Sequence, residues 1–220
     1  QYNLTQQVTE AAIRYIKSNE NSPFFLYLAH PMPHMPVYAS TDFQGKSARG
    51  KYGDTVEELD WSVGQILQTL KSEGLDKNTL VIFTSDNGPW LLCKQEGGSP
   101  GPLKDGKASM FEGGFRVPCI MWGAMVKPGY ITDMASTLDL LPTFCEIAGI
   151  PLPSDRHYDG ISLLNVLKDK STCKRDCVLT FTEAVNYMRF EKVNIKPISL
   201  IDQLMEQRIK SYMINLFYMI

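Results

Sequence analysis

Short runs of apolar residues without polar alternation are the first feature of the chain. They lie at residues 23–30 (PFFLYLAH), within 79–89 (TLVIFTSDNGP) and at 117–122 (VPCIMW). Apolar runs of this length, rich in aromatic and β-branched residues, are typical of strands that are buried on both faces of a parallel sheet. The pattern therefore predicts central strands in these places, and residues 178–182 are compatible with a further strand.

Segments with helical periodicity separate the predicted strands. Apolar residues recur at spacings of three and four over about 3–18 and again over 54–74, which predicts two amphipathic helices. A third helix is predicted over 133–148, with Pro142 marking either a kink or the first turn of the helix proper. Residues 161–168 (ISLLNVLK) predict a short amphipathic helix.

Strands and helices that alternate along a chain are typical of α/β folds, because parallel strands need a crossover connection between them. We therefore predict an α/β fold with a mostly parallel sheet sandwiched between helices, carried by residues 1–182. The character of the sequence changes after that point. The tail at 183–220 has helical periodicity, but it ends on apolar residues with nothing after them to cover them.

Composition narrows the class of protein. The chain has 220 residues, of which 44% are apolar, and a formal net charge of -2. This length is sufficient for a full domain with its own core, and the charge gives no case for a nucleic-acid surface. No stretch approaches the roughly 18 to 20 apolar residues that a membrane span needs. The five cysteines fit no zinc-binding pattern.

Polar residues follow two of the predicted strands at the point where each strand ends. Asp86 and Asn87 follow the strand within 79–89, and His30 and His34 lie on the proline-rich segment that follows the first strand. Because the carboxyl ends of strands in an open α/β sheet face the ligand crevice, these side chains are candidate ligands and catalytic groups. Carboxylate and amide oxygens suit a hard divalent cation. One of the histidines is expected to face the same crevice.

Lys107 adds a positive charge to this set, on a glycine-flanked turn with the sequence DGKAS. A tetrahedral anion bound to a hard dication needs oxygen ligands for the metal, an ammonium for the anion and an imidazole near the bridging ester oxygen. Each residue alone also has an ordinary explanation, because Asp-Asn-Gly is common in turns and a loop lysine is usually exposed.

Three segments, FTSDNGP (83–89), GPLKDGKASMFEGGFRVP (101–118) and STLDLLPTFCEIAG (136–149), resemble in this order and spacing the C-terminal part of the catalytic domain of the sulfatase family. NLTQ, HMPVYAS, RGKYGDTVEELDWSVGQIL and LPSDRHYDGISLL look most like its N-acetylgalactosamine-6-sulfatase branch. The resemblance covers about residues 3–167. It implies the alkaline phosphatase-like fold, incomplete at the N-terminus, with 1–182 as part of the catalytic domain and 183–220 as a divergent tail.

The resemblance also assigns expected roles to the candidate residues. Asp86 and Asn87 would be two of the calcium ligands, Lys107 would contact the sulfate, and His34 would lie beside the scissile ester. His34 takes this role rather than His30 because it precedes the PVYAS stretch. Family members use a formylglycine nucleophile, made from the cysteine of a C-x-P-S-R motif, whose hydrate attacks sulfur.

No C-x-P-S-R motif occurs in this chain. The nucleophile and the remaining metal ligands are therefore expected upstream of Gln1. Because calcium takes six to eight oxygen ligands, a chain with two of them is expected to bind calcium weakly. The chain alone is also expected to lack sulfatase activity.

The leading hypothesis for the full-length protein is a sulfuric ester hydrolase that removes sulfate from sulfated sugars such as glycosaminoglycans. One alternative is a phosphatase or phosphodiesterase of the same superfold, because a metal, a lysine and a histidine also suit phosphate. Another is a non-catalytic remnant that binds sulfated glycans through a basic loop, which contains Lys46, Arg49 and Lys51.

The expected partner is a sulfated carbohydrate, with no nucleic acid and no membrane span, and homodimerisation of the full-length protein stays open. The resemblance implies a lysosomal or secreted protein. The glycosylation sequon that starts at Asn3 (NLT) favours the same location.

Overall fold

The computed structural model describes residues 2–169, 173, 175, 177–181 and 188–192. The chain divides into two compact units at residues 1–124 and 125–220. The helices and strands of the first unit are α1 (Leu4–Ser18), α2 (Gly50–Ser72), β1 (Val81–Thr84), α3 (Glu112–Phe115) and β2 (Cys119–Trp122), with short 3₁₀-helices at Asp76–Asn78 and Leu91–Glu96.

The core of the first unit lies between α1 and α2. Ala12 and Ile16 of α1 pack against Ile66 and Leu70 of α2, and these side chains are almost completely buried. They belong to the apolar stripes that the periodicity predicts, so both predicted helices are confirmed. Burial of such a stripe, rather than intrinsic helix propensity, supplies most of the stability of a helix in a folded protein.

The start of α2 differs from the start expected near residue 54. The helix begins at Gly50, and Asp54 lies inside it with its carboxylate buried. That carboxylate accepts hydrogen bonds from the backbone N–H groups of Gly45 (2.8 Å) and Ser47 (2.9 Å). Asp54 therefore fixes the loop before the helix instead of capping the helix itself.

β1 and β2 form an antiparallel pair, with Val81 opposite Trp122 and Phe83 opposite Ile120. The predicted strands are present, but the prediction that they are buried on both faces of a parallel sheet is wrong for the described residues. Phe83 is 39% exposed and Ile120 is 62% exposed. The reason is that an apolar run can be buried on both faces only when other elements cover it. Within the described part of the chain, β2 is the one strand that pairs with β1.

Residues 23–30 form no hydrogen-bonded strand, so the prediction of a central strand here is also wrong for the described residues. The segment nevertheless alternates as an extended chain does. Phe24, Leu26 and Leu28 pack against the α1–α2 core, whereas Phe25 (66%) and Tyr27 (65%) are exposed. The apolar pattern thus identified a chain segment that lines the core. It did not reveal that this segment lacks strand partners among the described residues.

The second unit contains α4 (Leu140–Ala148), α5 (Leu164–Asp169), β3 (Cys177–Phe181) and β4 (Met188–Lys192), after a 3₁₀-helix at Thr137–Asp139. Pro142 lies in the first turn of α4, where a missing N–H costs nothing. Gly149 ends the helix with a φ of 67°, a left-handed conformation that glycine adopts without steric cost. The predicted helix is therefore present, with Pro142 in its first turn rather than at a kink, but it begins at Leu140 and not at residue 133.

Asp139 is the polar centre of this unit. Its fully buried carboxylate accepts hydrogen bonds from the backbone N–H groups of Ser136 (2.8 Å) and Ile161 (2.8 Å), and it forms an ion pair with the guanidinium of Arg175. A buried carboxylate is tolerated when its lone pairs are satisfied in this way. Asp139 thereby joins three separate stretches of the second unit.

The hairpin of β3 and β4 is antiparallel and pairs Cys177 with Lys192. β3 agrees with the strand expected at 178–182, whereas β4 lies within the tail that was expected to be helical. Residues 193–220 lie outside the described residues, so that the helical tail there stays a prediction. No helix in the described part of the chain has the length and apolar character required to cross a membrane.

Candidate active site

Asp86 and Asn87 lie in the turn that follows β1. The hydroxyl of Ser85 shares its one proton between the Asp86 carboxylate (3.4 Å) and the Asn87 carbonyl (3.2 Å). The side-chain amide of Asn87 donates to the carbonyl of Gly88 (2.9 Å), which leaves its side-chain oxygen as the acceptor. Asp86 is exposed and Asn87 is half-buried. The side-chain oxygens of Asp86 and Asn87 are therefore acceptors in this turn.

Backbone hydrogen bonds hold this turn against the glycine-rich loop. Gly88 donates to the carbonyl of Gly114, and the N–H of Lys107 donates to the carbonyl of Pro89, each at 2.8 Å. A Cβ atom on Gly88 would lie 1.8 Å from the carbonyl oxygen of Gly113. Only glycine permits such a close approach of two backbones. The loop consequently places Lys107 beside the end of β1.

The indole of Trp90 lies next to two of the predicted site residues. The centroid of its ring is 5.7 Å from that of His34, with the ring planes tilted by 39°. The ammonium nitrogen of Lys107 is 5.6 Å from the centroid of the Trp90 ring. His34 and Lys107 therefore approach the same aromatic side chain, although they come from segments far apart in the sequence. Trp90 itself was not among the residues that the sequence singled out.

The imidazole of His34 has one nitrogen engaged with the backbone. Nδ1 lies 2.8 Å from the carbonyl oxygen of Met35. Because a carbonyl can only accept a hydrogen bond, Nδ1 carries the proton in this contact. Nε2 is then the nitrogen that can accept a proton, or donate one when the ring is charged. His34 is exposed, so a ligand can approach it.

His30 has different surroundings, among polar side chains of the two long helices. Its Nε2 lies 3.3 Å from the hydroxyl of Ser62, which in turn is 2.6 Å from the hydroxyl of Thr9. Its Nδ1 is buried and makes no hydrogen bond within the described residues. Burial lowers the pKa of His30 below its ordinary value. His30 thus contacts α2 directly and α1 through Ser62, whereas His34 contacts Trp90.

Asp86 and Asn87 provide the right type of ligand for calcium but few ligand atoms. Both offer oxygen, which hard cations prefer. Among the described residues, no group of three or more His, Cys, Asp or Glu side chains comes together. The donor chemistry therefore fits calcium, while the number of donors falls short of the six to eight that calcium takes.

Of the predicted basic loop, Lys46 and Arg49 precede α2, whereas Lys51 lies in the first turn of that helix. All three belong to the surface. Lys51 lies 4.0 Å from a carboxylate oxygen of Glu96, and the Lys46 ammonium is 6.0 Å from the centroid of the Phe43 ring. Arg49 is exposed. Exposed pairs of this kind contribute little to stability. These contacts agree with a solvated face more simply than with a glycan site.

The comparisons with known proteins identify the family. Residues 1–150 match the sulfatase family. The chain is 48% identical over 171 residues to N-acetylgalactosamine-6-sulfatase of Mus musculus, covering 74% of this chain and 32% of that protein. It is 46% identical over 176 residues to steryl-sulfatase of Homo sapiens, covering 77% of this chain and 30% of that protein.

A solved structure extends the likeness to the fold. The protein comes from Bacteroides thetaiotaomicron and is described as part of the metabolism of multiple glycosaminoglycans. It superimposes on this chain with a TM-score of 0.78 and 33% identity, covering 87% of this chain and 42% of that one. The predicted α/β class and alkaline phosphatase-like sulfatase fold are confirmed by this match.

The predicted resemblance to the N-acetylgalactosamine-6-sulfatase branch is confirmed as well. The chain spans about a third of the length of the curated relatives that it matches. The family match spans the segments that hold Asp86, Asn87 and Lys107. The chain belongs to the sulfatase family.

Proposed function

We propose that this chain supplies the anion-facing part of a sulfatase active site, in a protein that removes sulfate from sulfated sugars such as glycosaminoglycans. The observation that carries the proposal is the approach of His34 and Lys107 to one indole, beside the turn that holds Asp86 and Asn87. A cation, an imidazole and paired oxygen ligands at one strand end suit the cleavage of a charged tetrahedral ester.

Lys107 binds the sulfate in this proposal. Its ammonium offers three N–H donors to the non-bridging oxygens and stabilises the charge that they carry in the transition state. The Lys107 backbone is fixed by its hydrogen bond to Pro89, so that the side chain starts from a defined position. Electrostatic stabilisation of this type is usually the largest single contribution to catalysis.

His34 acts at the ester oxygen that bridges sulfur and sugar. With Nδ1 bonded to Met35, Nε2 of the charged ring can donate a proton to this oxygen as the alcohol leaves. Positioned proton transfer typically contributes about 10² to 10⁴ in rate.

Asp86 and Asn87 would hold the calcium ion. When bound, the ion would neutralise negative charge on the sulfate. Attack on sulfur is assigned to no residue of this chain, because the family's C-x-P-S-R motif does not occur in it. We therefore expect the 220-residue chain to show no turnover of an aryl sulfate, and measurable turnover would contradict this assignment of roles.

The proposal also names a substrate class, the sulfated sugars. Identity alone separates the branches poorly, since N-acetylgalactosamine-6-sulfatase (48%) and steryl-sulfatase (46%) score almost equally. The preference for a sulfated sugar is supported by the glycosaminoglycan context of the bacterial structure. We propose a lysosomal or secreted location, and the exposed Asn3 suits a glycan at its sequon. Homodimerisation of the full-length protein stays a prediction.

A hybrid enzyme tests this function. In mouse N-acetylgalactosamine-6-sulfatase, the 171 aligned residues are replaced by their counterparts from this chain, and the product is called the hybrid below. We expect the hybrid to hydrolyse N-acetylgalactosamine 6-sulfate and to leave the corresponding 6-phosphate intact. A secreted hybrid with a cooperative unfolding transition that cleaves only the phosphate ester, or neither ester, would contradict the proposal.

A further inference from the structure

We propose that Trp90 is a positioning residue of this site, which orients the Lys107 ammonium and the His34 imidazole toward one bound sulfate ester. The identity of the ligand rests on the proposed function. The contacts that define the role are those of the Trp90 ring, and they are independent of that function.

The two contacts have the geometry of attractive aromatic interactions. The Lys107 ammonium, 5.6 Å from the ring centroid, lies within the range of about 6 Å in which a cation is attracted to an aromatic face, and tryptophan provides the strongest such face. The separation of 5.7 Å between the His34 and Trp90 rings falls in the range of about 4.5 to 7 Å for paired aromatic rings. Trp90 is 37% exposed, so its ring is partly covered and partly open to a ligand.

The backbone carbonyl of Trp90 is hydrogen-bonded and closely packed. Its carbonyl accepts a hydrogen bond from the N–H of Cys93 (2.9 Å), which starts the 3₁₀-helix at Leu91–Glu96. A Cβ atom on Gly97 would lie 2.0 Å from the same carbonyl oxygen. The backbone around Trp90 is therefore closely packed, and its indole projects from a fixed base.

Lys107 and His34 both need such support. Lysine has a flexible four-carbon stem, and ordering its side chain costs roughly 2 kcal/mol of rotamer entropy. His34 is exposed, on a segment without regular secondary structure. An aromatic surface that both side chains contact lowers the cost of holding them together, which is the usual source of preorganisation at binding sites.

A second lysine in the same loop contacts a different aromatic ring. Lys104 lies over the ring of Phe111, with its ammonium 3.6 Å from the ring centroid. The two lysines are thus held by different aromatic rings, and Lys107 is the one that shares its ring with His34. Lys107 and the predicted ester-facing histidine therefore contact the same ring.

The geometry is tested by NMR on the isotope-labelled 220-residue chain. We expect nuclear Overhauser contacts from the Trp90 ring protons to both His34 and Lys107. In Trp90→Leu, the ring-proton shifts of His34 and the Hε shifts of Lys107 should both change, because the ring current is removed. Trp61→Leu is the matched control, since Trp61 packs against Phe43 and should leave both sets of shifts unchanged.

The positioning role is tested by titrating the same proteins with inorganic sulfate. We expect Trp90→Leu to weaken sulfate binding by about three- to ten-fold, the range that corresponds to an aromatic contact, and Trp90→Phe to restore most of the affinity. A role in packing alone would leave the sulfate affinity of Trp90→Leu equal to that of the wild type.

The proposal is overturned if the Overhauser contacts are absent, if only one of the two side chains responds to Trp90→Leu, or if the affinity is unchanged in that variant. Failure of the proposed function has a different signature. If the wild-type chain binds no sulfate, the proposed anion site is refuted. The Overhauser contacts and the shifts would still decide whether His34 and Lys107 lie against the same ring.

Discussion

Buried acidic side chains fix much of the local structure. Glu58 lies inside α2, beyond the first turn in which the helix dipole favours negative charge. Instead of facing solvent, it is fully buried and accepts a hydrogen bond from the backbone N–H of Ser40 (3.0 Å). Helical position cannot reveal this partner, because Ser40 belongs to the loop that precedes the helix.

The sequence also predicts one part of the candidate site and not the other. The strand-end position of Asp86 and Asn87 follows from the apolar run before them. The sequence also offers Lys107 and two histidines, and the family resemblance selects His34. Trp90 could not be identified from sequence, because an indole carries no chemical signature of catalysis and its importance depends on which side chains pack against it.

Replacement of Lys107 by alanine should weaken binding of inorganic sulfate to this chain by about ten-fold or more, the range expected for a hydrogen bond to a charged group. Lys104→Ala is the matched control, because Lys104 lies in the same loop but contacts Phe111. Its sulfate affinity should stay within about two-fold of the wild type. Equal losses in the two variants, measured by titration calorimetry, would show that general loop charge rather than Lys107 binds the anion.

His30 should make the stability of the chain depend on pH. Burial lowers its pKa in the folded state below 6.5, so the unfolded chain binds more protons below that pH. The free energy of unfolding should therefore fall as the pH drops from about 7.5 to about 5.5. His30→Gln should reduce this slope in urea denaturation measured at each pH. An unchanged slope would show that His30 contributes nothing to it.

At the scale of elements, helices were predicted better than strands. The stripes that contain Ile16 and Leu70 define α1 and α2 because helical periodicity is local. β1 was identified from the same kind of local pattern, yet its antiparallel partner and its exposed Phe83 were not. Strand pairing and burial depend on residues far away in the sequence. For the same reason, the apolar run at residues 23–30 did not reveal that this segment pairs with no strand that the structure describes.

Two glycines of the α2 region should respond in opposite directions to alanine. Gly74 follows the helix with a φ of 70°, and Gly64 lies inside it; in both cases an added Cβ would meet no atom within 4 Å. Gly74→Ala should lower the free energy of unfolding by about 1 kcal/mol, because alanine is strained in the left-handed region. Gly64→Ala should raise it by about 0.5 to 1 kcal/mol. Urea denaturation that gives both changes the same sign would contradict these assignments.

At the scale of the whole molecule, the chain spans about a third of the length of its curated relatives. Its two compact units hold the predicted site residues within the first, at 1–124. The family and fold could be recognised from sequence because the matching segments are dense in glycine, proline and charged residues with special backbone or chemical roles. The domain boundary at 182 stays a prediction.

Calcium affinity tests the proposed metal ligands. With oxygen ligands from Asp86 and Asn87 alone, we expect the chain to bind calcium with a dissociation constant of about a millimolar or weaker. Asp86→Asn should abolish even this binding, because it removes the only charged ligand of the pair. Titration calorimetry that finds micromolar affinity would contradict the ligand set.

The central claim, that His34 serves a sulfate ester bound beside Trp90 and Lys107, is tested most directly by the rate at which the hybrid hydrolyses N-acetylgalactosamine 6-sulfate. We predict that His34→Ala lowers kcat by about 100-fold or more, as removal of a proton-transfer group does, while the unfolding midpoint is preserved. A variant that retains kcat within about two-fold of the unmodified hybrid would contradict the account, since a proton-transfer group contributes far more than that.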